Sequence, residues 1–169
     1  MRAVAYMWGV GGVLLLLGFA IYRLAPMTFA LKDYPLSPFH WCALVLSVVY
    51  MAYAEGYKGF HLAFAPRVVA RASYLGQYPR IHHLLLAPLF CMCFFHTTRK
   101  RQLISIGLSC TILCFVLIAS QLPQPWRGIL DAGVVVGLGL GITSIVYFLI
   151  SALGQPEQSA ALAEVPTEA

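Results

Sequence analysis

Charged residues are scarce in this sequence. They account for 10% of its 169 residues, whereas apolar residues account for 60%. A soluble globular domain carries about 25% charged residues and about 45–50% apolar ones. The composition therefore excludes an ordinary soluble domain. It indicates a single membrane domain with no room for a second folded domain beside it.

Motifs for catalysis are missing as well. The sequence has no His-Glu-x-x-His metalloprotease motif, no nucleotide-binding glycine loop and no Ser-His-Asp order. It also lacks a repeat in which interrupted apolar runs recur in both halves, a pattern that many transporters show. We therefore expect no hydrolase or transferase activity, and the missing repeat argues against a self-contained transporter.

A disulfide framework is not expected, although the chain has five cysteines. All five lie inside apolar runs: Cys42, Cys91, Cys93, Cys110 and Cys114. Free cysteines in apolar surroundings mostly serve as small packing residues. The cysteines therefore do not indicate a redox compartment.

The net charge of +5 does not indicate a nucleic-acid partner. The basic residues lie at the ends of apolar runs, where lysine and arginine reach the lipid headgroups. Three of the six acidic residues lie in the C-terminal tail, namely Glu157, Glu164 and Glu168. The expected partner of the charged residues is therefore the surface of a lipid bilayer.

Five apolar runs predict an all-α integral membrane protein, a bundle of about five transmembrane helices. A helix rises about 1.5 Å per residue, so that about 20 apolar residues cross the hydrocarbon core of a bilayer. The second run follows Ser37 and Pro38, an N-cap residue and a proline at the first helical position. The predicted spans are residues 8–23, 39–57, 81–98, 103–120 and 128–153.

Two further segments complete the predicted organisation. Residues 62–76 mix apolar and basic side chains, and we expect a short amphipathic helix there, in the headgroup plane between the second and third spans. It belongs with the spans to a membrane domain of residues 1–154. Residues 155–169 are acidic and contain alanine and proline, which predicts a disordered tail.

The basic residues do not decide the orientation of five spans. With the N-terminus inside, six lysines and arginines would lie on the cytoplasmic side and five on the other. If residues 81–98 formed a re-entrant hairpin between four spans, the division would be eight to three, with both termini inside. Charge favours this alternative. The length and apolarity of the run favour five spans, which is our prediction.

Five side chains on the second and third spans form a candidate copper site. If these spans are antiparallel neighbours, their adjacent ends lie at one membrane level. Imidazole, thiolate and thioether groups together suit Cu(I). Ordinary packing is the competing interpretation, because no recognised metal motif is matched. The candidate ligands are His40, Cys42, Met92, Cys93 and His96.

Three histidines at the opposite level form a candidate haem site. They are His61, His82 and His83. Two histidines on neighbouring helices can bind haem iron axially. A porphyrin needs a deep slot between helices, however, and few glycines are present to make one. An ordinary position at the membrane interface is the competing interpretation of these histidines.

Glu55 and Asp131 are the acidic residues nearest to the hydrocarbon. Lys58 follows Glu55 by three residues and Arg127 precedes Asp131 by four, so each acid has a basic neighbour at helical spacing. We expect structural ion pairs, because unpaired charges inside a membrane are costly. A proton or cation site is the alternative.

Gly133, Gly137 and Gly141 share one face of the last predicted span. Their spacing makes two overlapping Gly-x-x-x-Gly units, which let helices approach closely. We expect this face to pack within the bundle, with a homo-oligomer contact as the alternative.

No single function follows from these patterns. The leading hypothesis is a structural or accessory subunit of a membrane assembly in a bacterial cytoplasmic membrane, bound to a membrane-protein partner or to a second copy. The first alternative is a haem- or copper-binding redox protein that uses the His, Cys and Met positions. The second is an oligomeric carrier of protons or small solutes with Glu55 as the coupling acid.

Overall fold

The computed structural model describes residues 2–77 and 85–154, and all regular secondary structure in them is helical. The all-helical class predicted from the sequence is thereby confirmed. The π-helix among these elements is called the π segment below. In chain order the elements are α1 (Arg2–Phe29), a 3₁₀ turn (Ala30–Asp33), α2 (Pro38–Met51), the π segment (Ala52–Phe64), α3 (Ala65–Gln77), α4 (Ala87–Cys91), α5 (Arg99–Ser120) and α6 (Trp126–Gly154).

Three helical stretches are long and apolar enough to cross a membrane. They correspond to α1 with its 3₁₀ turn, to α5 and to α6. They also correspond to the first, fourth and fifth runs in the sequence. Their bounds by this criterion are Val4–Asp33, Arg99–Ser120 and Trp126–Ala152.

α2, the π segment and α3 follow one another without a break and form one long rod. Ser37 caps its start: the Ser37 hydroxyl oxygen accepts a hydrogen bond from the His40 N–H at 3.4 Å, and the Ser37 N–H donates to His40 Nδ1 at 3.3 Å. Pro38 lies in the first turn, where a missing N–H leaves no hydrogen bond unmade. The N-cap predicted at Ser37 is confirmed.

The π segment changes which side chains of the rod are neighbours. Hydrogen bonds in a π-helix join residues five apart instead of four. Accordingly, Lys58 Nζ lies 4.9 Å from the ring centroid of Tyr53, five residues earlier. On the same segment the ring of Tyr57 stacks between those of Tyr53 and His61, with centroid distances of 6.3 and 5.8 Å.

The rod and α6 run parallel to each other. The ring of His40, in the first turn of the rod, lies 5.1 Å from the ring of Trp126, the first residue of α6. Farther along both helices, His61 Nδ1 lies 3.2 Å from Ser144 Oγ. We call the end of the bundle at which both helices begin the Trp126 end.

α1 runs antiparallel to the rod and to α6. Gln124 Nε2, just before α6, donates to the carbonyl oxygen of Met27, near the end of α1, at 3.4 Å. Near its start, α1 contributes Ala5 to a buried cluster that also contains Ile145, near the end of α6. We call this second end of the bundle the Arg71 end, after a buried arginine of α3.

The main buried core lies at the Arg71 end. α4 approaches α1 closely there because two glycines of α1 face it. A Cβ on Gly9 would stand 2.9 Å from Cys91 Sγ, and a Cβ on Gly12 would overlap Pro88. The core cluster consists of Ala5, Val10, Val13, Ala65, Val68, Ala72, Leu75, Ala87, Phe90, Cys91 and Ile145.

The amphipathic helix predicted at residues 62–76 corresponds to the end of the π segment and to α3. The chain passes there from the π segment into α3 without a break. Val68, Ala72 and Leu75 on its apolar face have no exposed surface, because α1 and α4 cover them. An amphipathic pattern predicts that one face is covered but not what covers it, which is why the sequence favoured lipid.

The described part of the third predicted span, residues 85–98, is not one continuous helix. α4 ends at Cys91, and the turns after it contain Cys93 and His96 at positive φ values of 62° and 52°. Pro88 lies in the first turn of α4 and therefore begins a short helix instead of kinking a long one. The start of this run, in residues 78–84, and the tail predicted to be disordered, residues 155–169, lie outside the described residues.

α5 is almost bare. Of its 22 residues only Ala119 is buried, whereas Leu103 and Leu113 are 71% and 62% exposed. Its first turn is attached to the Arg71 end, because Gln102 Nε2 donates to the carbonyl oxygen of Phe94 at 2.9 Å. A short connection after Ser120 leads to Trp126, so that α5 runs from the Arg71 end to the Trp126 end.

Candidate functional site

The structure separates the five candidate copper ligands into two groups. One group lies in the first turns of α2 at the Trp126 end, and the other follows α4 at the Arg71 end. There the His96 carbonyl oxygen accepts a hydrogen bond from Arg71 Nη2 at 3.1 Å. The groups do not meet because the chain after α4 stays at the Arg71 end instead of running along α2. They are His40 with Cys42, and Met92 and Cys93 with His96.

The candidate haem ligand His61 lies between the rod and α6. Besides its contact with Ser144, its ring packs against two aromatic rings of α6 at 5.3 and 5.8 Å. The other two candidates, His82 and His83, lie outside the described residues. In the part of the chain that the structure describes, no three His, Cys, Asp or Glu side chains form a group suited to a metal ion.

The thiol of Cys91 is buried in the core at the Arg71 end. Burial raises its pKa to about 12, against the opposing effect of the Arg71 guanidinium and with a smaller contribution from Cys93 in the same direction as burial. Cys91 is therefore a neutral thiol at physiological pH and packs as a small apolar side chain.

Arg127 and Asp131 lie side by side in the first turns of α6. Arg127 Nε is 3.7 Å from Asp131 Oδ2, and the two residues are four positions apart, as the expected ion pair requires. The arginine side chain is about one third exposed at 32%, whereas that of Asp131 is 6% exposed. Arg127 thus gives the buried carboxylate of Asp131 a counter-charge near the start of α6.

Glu55 and Lys58 are not paired. In an α-helix, residues three apart lie on one face, but both residues belong to the π segment. The ammonium group of Lys58 turns to Tyr53 instead. Among the described side chains, no hydrogen bond or ion pair involves Glu55. The carboxyl group is half-buried and lies against Gly137 of α6.

The three glycines of α6 face the rod. A Cβ on Gly133 would stand 2.6 Å from Ser47 Oγ, and a Cβ on Gly141 would stand 2.7 Å from the ring of Phe60. Between them, a Cβ on Gly137 would stand 3.3 Å from Glu55 Oε2. The contacts of Gly133, Gly137 and Gly141 with the rod therefore lie within the chain.

Arg71 is the buried polar group that the sequence analysis missed. It has no exposed surface, and its Nε donates to the Phe90 carbonyl oxygen at 2.7 Å. Its Nη2 donates to the carbonyl oxygens of Phe95 at 2.9 Å and of His96. From the sequence, an arginine in an amphipathic basic segment is expected to face lipid headgroups. Its partners lie in residues 90–96, which are distant in sequence and come next to α3 only in the folded chain.

The chain matches no protein-family model, and neither a curated protein nor a solved structure shows significant similarity to it. Its function must therefore be argued from its own residues. Arg71 and Glu55 are two polar groups inside the bundle that differ in their partners. Arg71 is committed to backbone carbonyl groups, whereas Glu55 retains a carboxyl group with no partner among the described side chains.

Proposed function

We propose that this chain is a four-span integral protein of a bacterial cytoplasmic membrane and acts as a structural or accessory subunit of a membrane assembly. The spans are α1, the rod from α2 through the π segment, α5 and α6. Residues 85–98 stay at the Arg71 end of the bundle. This topology is the four-span alternative of the sequence analysis, in place of five spans.

Hydrogen bonds from α3 and from the start of α5 to the same short segment between them support four spans. Arg71 of α3 binds the carbonyl oxygen of Phe95 at 2.9 Å, and Gln102 of α5 binds that of Phe94 at 2.9 Å. The end of α3 and the start of α5 are therefore neighbours. A crossing between them would place them on opposite sides of a hydrocarbon core about 30 Å thick.

The distribution of basic residues supports the same topology and an orientation. More of the described basic residues lie towards the Arg71 end than towards the Trp126 end, so the positive-inside rule places the Arg71 end in the cytoplasm. Outside the proposed spans or at their ends, the two sets are Arg67, Arg71, Arg99, Lys100 and Arg101 at the Arg71 end, and Arg23, Lys32 and Arg127 at the Trp126 end; Lys58 lies within a span and is not counted.

The exposed surface of α5 is the main observation that supports the subunit role. One face of this helix is formed by exposed small residues, and nothing within 4 Å would meet a Cβ on Gly107. Helix pairs in membranes associate through small residues because these let the backbones approach closely. A helix of a partner protein, or α5 of a second copy, would fit this face. Its residues are Gly107, Cys110, Thr111 and Cys114.

A site-specific photocrosslinker tests the subunit role in native membranes. We would place it at Leu108 of α5, which is 57% exposed, and at Leu46 of α2, which is 71% exposed. The proposal predicts one discrete protein adduct from position 108, identified by mass spectrometry, and mainly lipid adducts from position 46. Lipid adducts alone from both positions would contradict the subunit role.

A further inference from the structure

Glu55 lies where the rod and α6 approach each other closely. Its Cβ and Oε2 are 3.4 and 3.3 Å from the position that a Cβ on Gly137 would take. One residue further, Gly56 receives Leu140 of α6, because a Cβ there would stand 2.6 Å from a methyl carbon of that leucine. The carboxyl group is therefore held between two closely packed helices.

The position of Gly137 along α6 places Glu55 well inside the proposed membrane. Trp126 marks the start of the helix at the Trp126 end. The rise from Trp126 to Gly137 is about 16 Å, close to half of the thickness of the hydrocarbon core. Glu55 faces Gly137 and lies at the same depth.

The titratable groups around Glu55 have other partners. On the rod, Lys58 lies over Tyr53, and Tyr57 stacks on the ring of His61. His61 also contacts Ser144 Oγ.

Groups on the flanking elements are occupied as well. Arg67, at the start of α3, donates to the Ala63 carbonyl oxygen. On α6, Asp131 is paired with Arg127, and Tyr147 packs against the rings of His61 and Phe148. The residue of α6 that lies against the carboxyl group is Gly137.

We propose that Glu55 is a proton-binding site. Its carboxylate takes up one proton from a hydronium ion of the solvent: an O–H bond forms on the carboxyl group as an O–H bond of hydronium breaks, and a water molecule is released. An unpaired carboxylate is far more costly in hydrocarbon than the neutral acid. The π segment creates the site, because its winding turns Lys58 away from Glu55. This inference is independent of the subunit role, which rests on α5.

Infrared spectroscopy of the full chain in lipid vesicles tests the site directly. The carbonyl stretch of a protonated carboxylic acid is separate from the bands of a carboxylate. We expect such a band at pH 7, its complete loss in Glu55→Gln, and its retention in the matched variant Asp131→Asn. Raising the pH should remove the band reversibly in the wild-type protein, as an exchangeable proton requires.

Three results would overturn the proposal. Absence of the band at pH 7 in the wild-type protein would show that Glu55 is ionised, and persistence of the band in Glu55→Gln would assign it to another carboxyl group. Loss of the band on exchange of potassium for sodium at constant pH would identify a sodium site instead. The photocrosslinking result at Leu108 is unaffected by any of these outcomes, so the two proposals fail separately.

Discussion

Arg71 is a fully buried cation whose partners include three backbone carbonyl groups. Those of Phe90, Phe95 and His96 lie at the end of α4 and in the turns after it. A continuing helix would have satisfied these carbonyl oxygens with its own N–H groups. The planar guanidinium supplies donors to the oxygens of Phe95 and His96 instead, from one rigid fork. It also adds a second donor to the Phe90 oxygen, which accepts from the Cys93 N–H at 3.1 Å. Its face also lies 4.1 Å from the ring centroid of Phe90.

Replacing Arg71 with lysine should therefore destabilise the Arg71 end. The single ammonium group cannot reach all three carbonyl oxygens, and those left buried without a donor carry a desolvation penalty. We expect the free energy of unfolding to fall by about 2–4 kcal/mol. The measurement is denaturant unfolding of the purified protein in mild detergent.

Arg67→Lys is the matched control, one turn earlier on the same rod. Its guanidinium donates within the rod to the Ala63 carbonyl oxygen and does not hold residues 85–98. The control should change the free energy of unfolding by less than about 1 kcal/mol. Equal effects of the two substitutions would contradict the role assigned to Arg71.

The π segment and the glycine face of α6 are complementary elements. Glu55 and Phe60 are five residues apart, as are Gly56 and His61, and all four contact α6. Spacing by five is what a π-helix places on one face. Gly137 and Gly141 of α6 meet this face at Glu55 and Phe60, whereas Gly133 meets α2 at Ser47.

A methyl group added at Gly133 should push α6 away from the rod. It would stand 2.6 Å from Ser47 Oγ and 3.1 Å from the Ser47 backbone oxygen, which cannot move without the rod. Gly133→Ala should lower the free energy of unfolding by about 1–3 kcal/mol. Gly139→Ala, on the same helix with nothing within 4 Å, should be neutral to within about 1 kcal/mol. A thermal-shift assay in detergent that ranks the two variants in the opposite order would refute this contact.

Long apolar runs were enough to predict helices, because α1, α5 and α6 each contain one run with few charges. The spacing of the three glycines is visible in the sequence of α6 alone, but their partners on the rod are not. The missing Glu55–Lys58 pair was not predictable, because the pairing of residues three apart presupposes an α-helix and the chain winds as a π-helix there. The burial of Arg71 was not predictable either, because its hydrogen-bond partners are carbonyl groups 19 to 25 residues away in the sequence.

The whole molecule combines a long bundle with an uneven core. Ala5, Phe90 and Leu75 are fully buried at the Arg71 end, whereas α5 exposes apolar side chains along its length. Contact of this apolar surface with water would be unfavourable. In a bilayer the lipid tails are as apolar as the side chains, so the same surface carries no such cost. This uneven core fits the proposed four-span arrangement, in which the Arg71 end is the cytoplasmic end.

Cysteine accessibility at Gln77 and Thr98 tests this arrangement most directly. Both residues are exposed and flank the segment whose crossing is in question. We would introduce Gln77→Cys and Thr98→Cys separately, in a chain whose native cysteines are replaced by alanine, and label sealed vesicles of known orientation with a membrane-impermeant maleimide. Four spans predict that both positions are labelled from the cytoplasmic side, and that Gln121→Cys is labelled from the other. Labelling of positions 77 and 98 from opposite sides would contradict the account and establish a fifth span between them.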